Sequence, residues 1–232
     1  MQGKSLKRTV VYTAMIVLAV LVLIIFWKFG NRNHYVFGTL LVICGMLPVI
    51  CGFEKKRSQA REIVLISVMS ALAIVSRMAF AIVPHFKPMA GIIMITGMAF
   101  GPTAGFISGM ISLLISNFAF AQGPWTPWQM FAFGIAGFVA GLLYDKGIIN
   151  EKKRIVTAII GGIIVVLFVG PIMDTSTFFL ADGMMGDVTP WAIYLSGLPV
   201  NAVHAAATVV TLFLLCPPML ERINRIKVKY EI

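Results

Sequence analysis

The chain has 232 residues, of which 59% are hydrophobic and only 12% charged, with a formal net charge of +10. A soluble domain carries roughly 25% charged residues, so the composition excludes an ordinary soluble fold and predicts a protein embedded in a bilayer. The positive charge does not predict nucleic-acid binding, because fifteen of the nineteen Lys and Arg fall in four short clusters beside apolar runs, the pattern of membrane loops held on one side.

The first cluster is Lys4, Lys7 and Arg8. Gly3-Lys4-Ser5 has the look of a P-loop end, but the upstream glycine and strand are missing, so no ATPase is predicted by that route. An apolar run follows at 9–27. It has no small-residue cleavage site and is expected to be retained rather than removed as a signal peptide. Lys28 and Arg32 precede a second run at 36–52. These two runs hold Tyr12, Thr13 and Pro48 but no charged group, and are expected to form a structural hairpin. With its basic linker Lys55, Lys56, Arg57 and Arg61, this unit covers 1–61.

Residues 62–232 form the second unit, a six-span body with a basic tail. A bilayer core needs about 20 apolar residues per helix. The spans are predicted at 63–83, 89–100, 102–121, 128–144, 155–180 and 190–217. The 89–100 span is short and needs neighbours to cover its ends. In the 63–83 span, Ser67 and Ala71 share a face, with Ser70 and Ala73 close by. That face suits either internal packing or the docking of another helix. Gly101, Gly105, Gly109, Ser112 and Ser116 line one side of the next span, and Gly134, Gly137 and Gly141 one side of the span after it. Small residues let helices approach closely in a membrane, so a tight bundle is predicted. Phe100-Gly101-Pro102 marks a sharp turn, with Pro102 at a helix start. Cys44, Cys51 and Cys216 make no metal-ligand spacing and are expected to pack as small apolar groups.

The fold class is therefore all-α, a polytopic membrane bundle of six helices behind a two-helix hairpin. The remaining clusters are Lys146, Lys152, Lys153 and Arg154, then Arg222, Arg225, Lys227 and Lys229. Both termini are expected inside, because the opposite orientation places all fifteen clustered charges outside. The outer loops then hold only Lys28, Arg32 and Lys87.

That orientation gives each buried polar residue a depth. Arg77, Asn117 and Asp174 fall in the outer third of their spans, and Asn201 and His204 lie between the outer third and the middle. Tyr194, Gly197, Asn201, His204 and Thr208 recur by three and four, which puts them on one helix face. Pro171 and Pro199 free backbone carbonyls at the same depth, which is tolerated where protein or a cavity satisfies them. Arg77 and Asp174 either form a structural ion pair or contact a ligand. The convergence of polar groups in one layer predicts a ligand site.

The outer loops add to it. Gln122-Gly-Pro-Trp125-Thr-Pro-Trp128-Gln129 joins two spans. Its Trp residues serve as interfacial anchors or, with the amides, as a platform for a planar, amide-bearing ligand. Loops His85-Phe-Lys87-Pro88 and Asp182–Thr189, with Met184, Met185 and Asp187, could close over it as a lid. No G-x-S-x-G, H-E-x-x-H or Cys/His cluster occurs, so neither enzyme nor metal chemistry is predicted.

On these residues the body resembles a known family. The stretch Ser67-Val-Met-Ser-Ala-Leu-Ala-Ile-Val-Ser-Arg77, the turn Phe100-Gly-Pro-Thr-Ala-Gly105 and the loop Gln122–Gln129 are similar to those of substrate-binding S components of energy-coupling factor (ECF) vitamin transporters. The resemblance covers about 62–220, and the Gly-Pro-Trp-Thr-Pro-Trp loop resembles S components of cobalamin-related uptake. The leading hairpin departs from the six-span pattern.

The resemblance implies a multi-pass protein of the bacterial plasma membrane that binds a vitamin from outside and has no cofactor of its own. It implies docking through Ser67 and Ala71 on a membrane coupling subunit, with ATP hydrolysed by two cytoplasmic ATPases. Arg77, Asn117, Trp125, Trp128, Gln129, Asp174, Asn201 and His204 become candidate ligand contacts, beside Lys87, Gln122 and Tyr194 in the same layer. Cobalamin is the first candidate ligand; riboflavin, pantothenate, folate and a queuosine precursor stay open. Two other readings compete. One is a lipid-modifying enzyme using Asp174 and His204 as an acid/base pair. The other is a stand-alone proton-coupled carrier relying on an Arg77–Asp174 pair.

Overall fold

A computed structural model describes residues 34–55, 60–185 and 189–230, and every regular element in them is helical. The first predicted span, Lys28, Arg32, Lys56, Arg57 and Asp187 lie outside the described residues. Helix α1 is His34–Lys55, α2 is Ala60–Ala79, α3 is Met89–Phe100, α4 is Pro102–Phe120 and α5 is Thr126–Asp145. Helix α6, Arg154–Ile164, runs through a π-helical turn at Val165–Val169 into α7, Gly170–Met185. Helix α8 spans Pro190–Tyr230. Among the described residues, five stretches are long and apolar enough to cross a membrane: α2, α4, α5, Arg154–Asp182 and α8.

The short helix α3 is the hub. All twelve of its residues are buried, and α2, α4, α5 and α8 pack around it. At 1.5 Å per residue it reaches only about 18 Å, so neighbouring helices cover both of its ends, as the sequence predicts. Glycines set the spacing. A Cβ on Gly109 of α4 would meet the Phe133 carbonyl at 2.6 Å, and one on Gly141 of α5 would meet the Gly97 carbonyl at 2.8 Å. Backbone against backbone is the closest approach two helices can make. Serines join α2 to α4 on the same side. Ser70 Oγ bonds Ser108 Oγ at 2.9 Å, and Ser112 Oγ donates to the Ser70 carbonyl at 3.3 Å. Cys216 is buried against the Met98 sulfur, an apolar packing role.

Several boundaries differ from the sequence expectation. Helix α2 ends at Ala79 rather than 83. Pro84 disfavours helix just before it, and the Lys87 ammonium collects the carbonyls of Phe80, Ala81 and Val83 at 2.9, 3.4 and 3.4 Å. The 155–180 span is one continuous run, but it widens into the π turn just before Pro171. Proline has no N–H for the carbonyl four residues earlier and its ring crowds that carbonyl, and π turns relieve such a conflict. Helix α8 does not stop at 217. It carries Pro217 and Pro218 inside and continues to Tyr230, about 60 Å in all. Its basic end is tied to the body. Lys227 Nζ donates to the Ala99 carbonyl and lies over the Phe100 ring, and Arg61 donates to the Tyr230 carbonyl at 2.9 Å.

Among the described residues, the basic segments at 55, 61, 146–154 and 222–229 thus gather at one end of the bundle. The loops 80–88 and 121–125 and the approach to α8 lie at the other, the far end.

Candidate ligand-binding site

The far end holds a chain of polar side chains inside the bundle. Arg77, near the end of α2, donates from Nη1 to Ser116 Oγ at 2.6 Å and to Asn117 Oδ1 at 2.7 Å. Its guanidinium lies 4.6 Å from the centre of the Phe120 ring. Asn117 is fully buried. Its amide donates to Gln129 Oε1 at 2.7 Å and to Thr126 Oγ1 at 3.1 Å. Thr126 donates to Gln122 Oε1 at 3.0 Å, and Gln122 Nε2 donates to the Leu114 carbonyl at 2.8 Å. Arg77, Asn117, Gln122 and Gln129 therefore form one network; depth along the spans singles out the first two and the outer loop the other two. Thr126, Ser116 and Phe120 are members that sequence reasoning did not single out for the site. The signal for Ser116 was its adjacency to Asn117 at the depth of Arg77.

The ends of the loops are conformationally costly. His85 and Ala121 both have left-handed backbone, with φ of 57° and 76°. Such residues persist only where their surroundings hold them, and they cluster at functional sites. Lys87 sits between the loops, 5.7 Å from the centre of the Phe120 ring. Desolvation first, then the charge of Arg77, lowers its pKa below the ordinary value. Its ammonium already has carbonyl partners in the 80–83 turn. The His204 ring meets the Phe133 ring edge-on at 6.5 Å between ring centres.

A second polar group sits between α7 and α8. Asn201 Nδ2 donates to Asp174 Oδ2 at 2.8 Å, and Thr175 and Tyr194 share a hydroxyl bond of 2.8 Å. Gly197 makes room for the Asp174 carboxylate, which a Cβ there would strike. The buried Ser176 hydroxyl has no partner among the described residues. Arg77 and Asp174 take separate partners and make no ion pair.

The two tryptophans of the loop differ. Trp125 is exposed and stacks over Gly123. Trp128 is 5% exposed, bonds Thr39 of α1 through its indole N–H at 3.1 Å, and packs on Phe179 at 5.9 Å between ring centres. On α2, Ser67 and Ala71 face outward while Ser70 and Ala73 are buried. Internal packing therefore falls to Ser70 and Ala73. A cavity of about 470 Å³ lies away from this layer, at the basic end, lined by Glu151, Glu221, Asn224 and Arg225 among others. The side chains of Met184 and Met185 lie outside the described residues.

The arrangement offers a fixed cation, amides and an aromatic ring at one end of an apolar bundle, which suits recognition of a small polar molecule. Residues 57–220 match the sequence model of a family described as ECF-type riboflavin transporter, S component. No solved structure matches the chain.

Proposed function

Because the chain belongs to the S component family of ECF-type riboflavin transporters, we propose that it captures a vitamin in its far-end polar layer and delivers it to an ATP-driven coupling module. The observation that carries the reading is Arg77, held by Ser116 and Asn117 inside the bundle and continuous with Gln129. A charge inside a membrane protein is costly and commonly serves a pathway or a ligand.

The positive-inside pattern supports a reading with the basic end in the cytoplasm and the polar layer outside. The exposed Ser67 and Ala71, flanked by exposed Val64, Val68 and Val75, form a smooth strip along α2. This strip suits docking on a coupling subunit, whose two ATPases would supply the energy. The chain itself is a transport subunit rather than an enzyme.

Riboflavin is the ligand we favour. A wide pocket for cobalamin would draw on both Trp125 and Trp128, and the Trp128 ring is enclosed by α1 and α7. Trp125, Gln129 and Phe120 remain as one exposed ring, an amide and a second ring near Arg77, which suits a smaller planar ligand with amide-like edges. The carrier reading loses support, because Arg77 bonds Ser116 and Asn117 rather than Asp174. For the enzyme reading, Asp174 takes the Asn201 amide as its partner and the His204 ring packs on Phe133.

The test is titration of purified full-length protein with riboflavin, read by flavin fluorescence quenching, and with cobalamin, read by calorimetry. Riboflavin should bind and cobalamin should not. Asp174→Ala leaves the buried Asn201 amide without its acceptor, and is expected to weaken binding by about tenfold, or roughly 1.4 kcal/mol, while the protein stays monodisperse. Uptake should need the ATPase module, whereas binding should not. Failure of both vitamins to bind would sink the reading.

A further inference from the structure

The matched residues begin at 57, so helix α1 (His34–Lys55) lies outside the part of the chain that defines the family. It is not an idle lipid-facing helix. Tyr35, Gly38, Thr39, Val42, Gly45 and Met46 recur at helical spacing on one side. Val42 and Met46 are buried with Phe106 and Trp128. The opposite side, Val36, Leu40, Ile43 and Leu47, is exposed. Gly38 sits where a Cβ would meet the Trp128 ring at 2.8 Å and the Phe179 ring at 3.1 Å.

Two polar side chains on this face reach the 121–129 segment, which is the loop between α4 and α5 together with the first turn of α5. The Tyr35 hydroxyl donates to the carbonyl of Pro124, in the middle of the loop. Thr39 Oγ1 accepts the indole N–H of Trp128 at 3.1 Å. Trp128 is followed directly by Gln129, which accepts from the Asn117 amide, and Asn117 holds Arg77. From the other side the loop is held by Thr126, which accepts from the Gly123 N–H at 3.2 Å and donates to Gln122. The loop is thus gripped on its bundle side by the family-matched body and on its outer side by α1.

We propose that α1 is an accessory strut for the ligand site, and that Thr39 and Tyr35 are positioning residues that fix the 121–129 loop and, through Trp128 and Gln129, the Asn117–Arg77 network. The proposal rests on the ligand-binding reading for its effect on affinity, but not for its effect on the loop. A strut of this kind slows ligand release by keeping the loop in one conformation. It does not alter which atoms the ligand touches.

The experiment compares full-length wild type with Thr39→Val, Thr39→Ser and Tyr35→Phe in detergent. Amide hydrogen exchange is read in peptides covering 121–129, and riboflavin dissociation is read by stopped-flow recovery of flavin fluorescence. Thr39→Val keeps the shape and removes the acceptor, so it leaves a buried N–H unpaired. Thr39→Val and Tyr35→Phe should each raise exchange in 121–129 and speed riboflavin release by about tenfold, with peptides of α3 and of α5 beyond residue 130 unchanged. Thr39→Ser restores the acceptor and should restore both readings. Unchanged exchange in 121–129 overturns the proposal. So does exchange that rises evenly through the body, which would mark Thr39 as a stability residue alone. If wild type binds no riboflavin, the functional reading falls and the exchange arm still decides the strut.

Discussion

Gly109→Ala is expected to lower the thermal stability of the protein sharply, whereas Gly45→Ala leaves it nearly unchanged. Both substitutions add one methyl group to a helix, and both gain about 1 kcal/mol of helix propensity. What the methyl meets decides the sign. At Gly109 a Cβ would lie 2.6 Å from the Phe133 carbonyl oxygen and 2.7 Å from the Gly134 nitrogen. Those are backbone atoms of α5, so the whole helix has to retreat from α4. Overpacking of this kind costs roughly 3 kcal/mol at the top of the usual range, which exceeds the propensity gain. At Gly45 the nearest atom is the rim of the Phe131 ring, 3.2 Å away. A ring edge can turn by a few tenths of an ångström, so gain and cost nearly cancel. A thermal ramp followed by size-exclusion chromatography of detergent-solubilised protein checks the pair. The net cost of about 2 kcal/mol should lower the midpoint of the Gly109 variant by about 6 °C, and that of the Gly45 variant by less than a quarter of that. Equal losses would show that the α4–α5 seam is not limited by backbone contact.

The same seam shows why so much of the bundle was legible in the sequence. Gly105, Gly109, Gly134, Gly137 and Gly141 announce close approach by their spacing alone, and the approach occurs between the helices that carry them. The bounds of α3, α4 and α5 follow because Gly101, Pro102 and Pro127 punctuate them. Helix α8 runs past the end of the span expected at 190–217, where Pro217-Pro218 lies inside it. The helix is tied down beyond that pair by Lys227 on Ala99 and by Arg61 on Tyr230. Those contacts join residues far apart in sequence, so no local pattern records them.

The site divides in the same way. Depth along each span brings Arg77 and Asn117 to one layer, because depth follows from charge and length, and Gln129 comes from the outer loop beside it. Azimuth did not follow. Arg77 and Asp174 share a depth, yet one turns to α4 and the other to α8. Trp128 lies in the loop that drew attention, but its ring turns toward Thr39, a residue 89 positions earlier. Helix rotation is set by packing among helices, and one sequence carries only weak information about that.

Removing the charge at the centre of the network tests the site itself. Arg77 makes charge-assisted bonds to Ser116 and Asn117 and lies over Phe120. Arg77→Met keeps the length and apolar bulk of the stem but leaves the buried Asn117 oxygen unpaired, a penalty of about 1–3 kcal/mol. It also withdraws the only charge the network offers a ligand. Riboflavin affinity is expected to fall by at least about a hundredfold, or roughly 2.7 kcal/mol. Arg77→Lys keeps the charge as a compact ammonium without the planar fork. It can serve Ser116 or Asn117 but not both from one flat face on Phe120, and the expected loss is about tenfold. Ser116→Ala removes one acceptor and leaves Asn117 untouched, so its loss should be the smallest of the three. Fluorescence titration in detergent, with size-exclusion traces to show that each variant is folded, gives the order Met, Lys, Ala from weakest to strongest binder. If folded Arg77→Met binds riboflavin as wild type does, Arg77 serves only to cross-link α2 to α4. The ligand site would then have to be built on Asp174 and Asn201 instead.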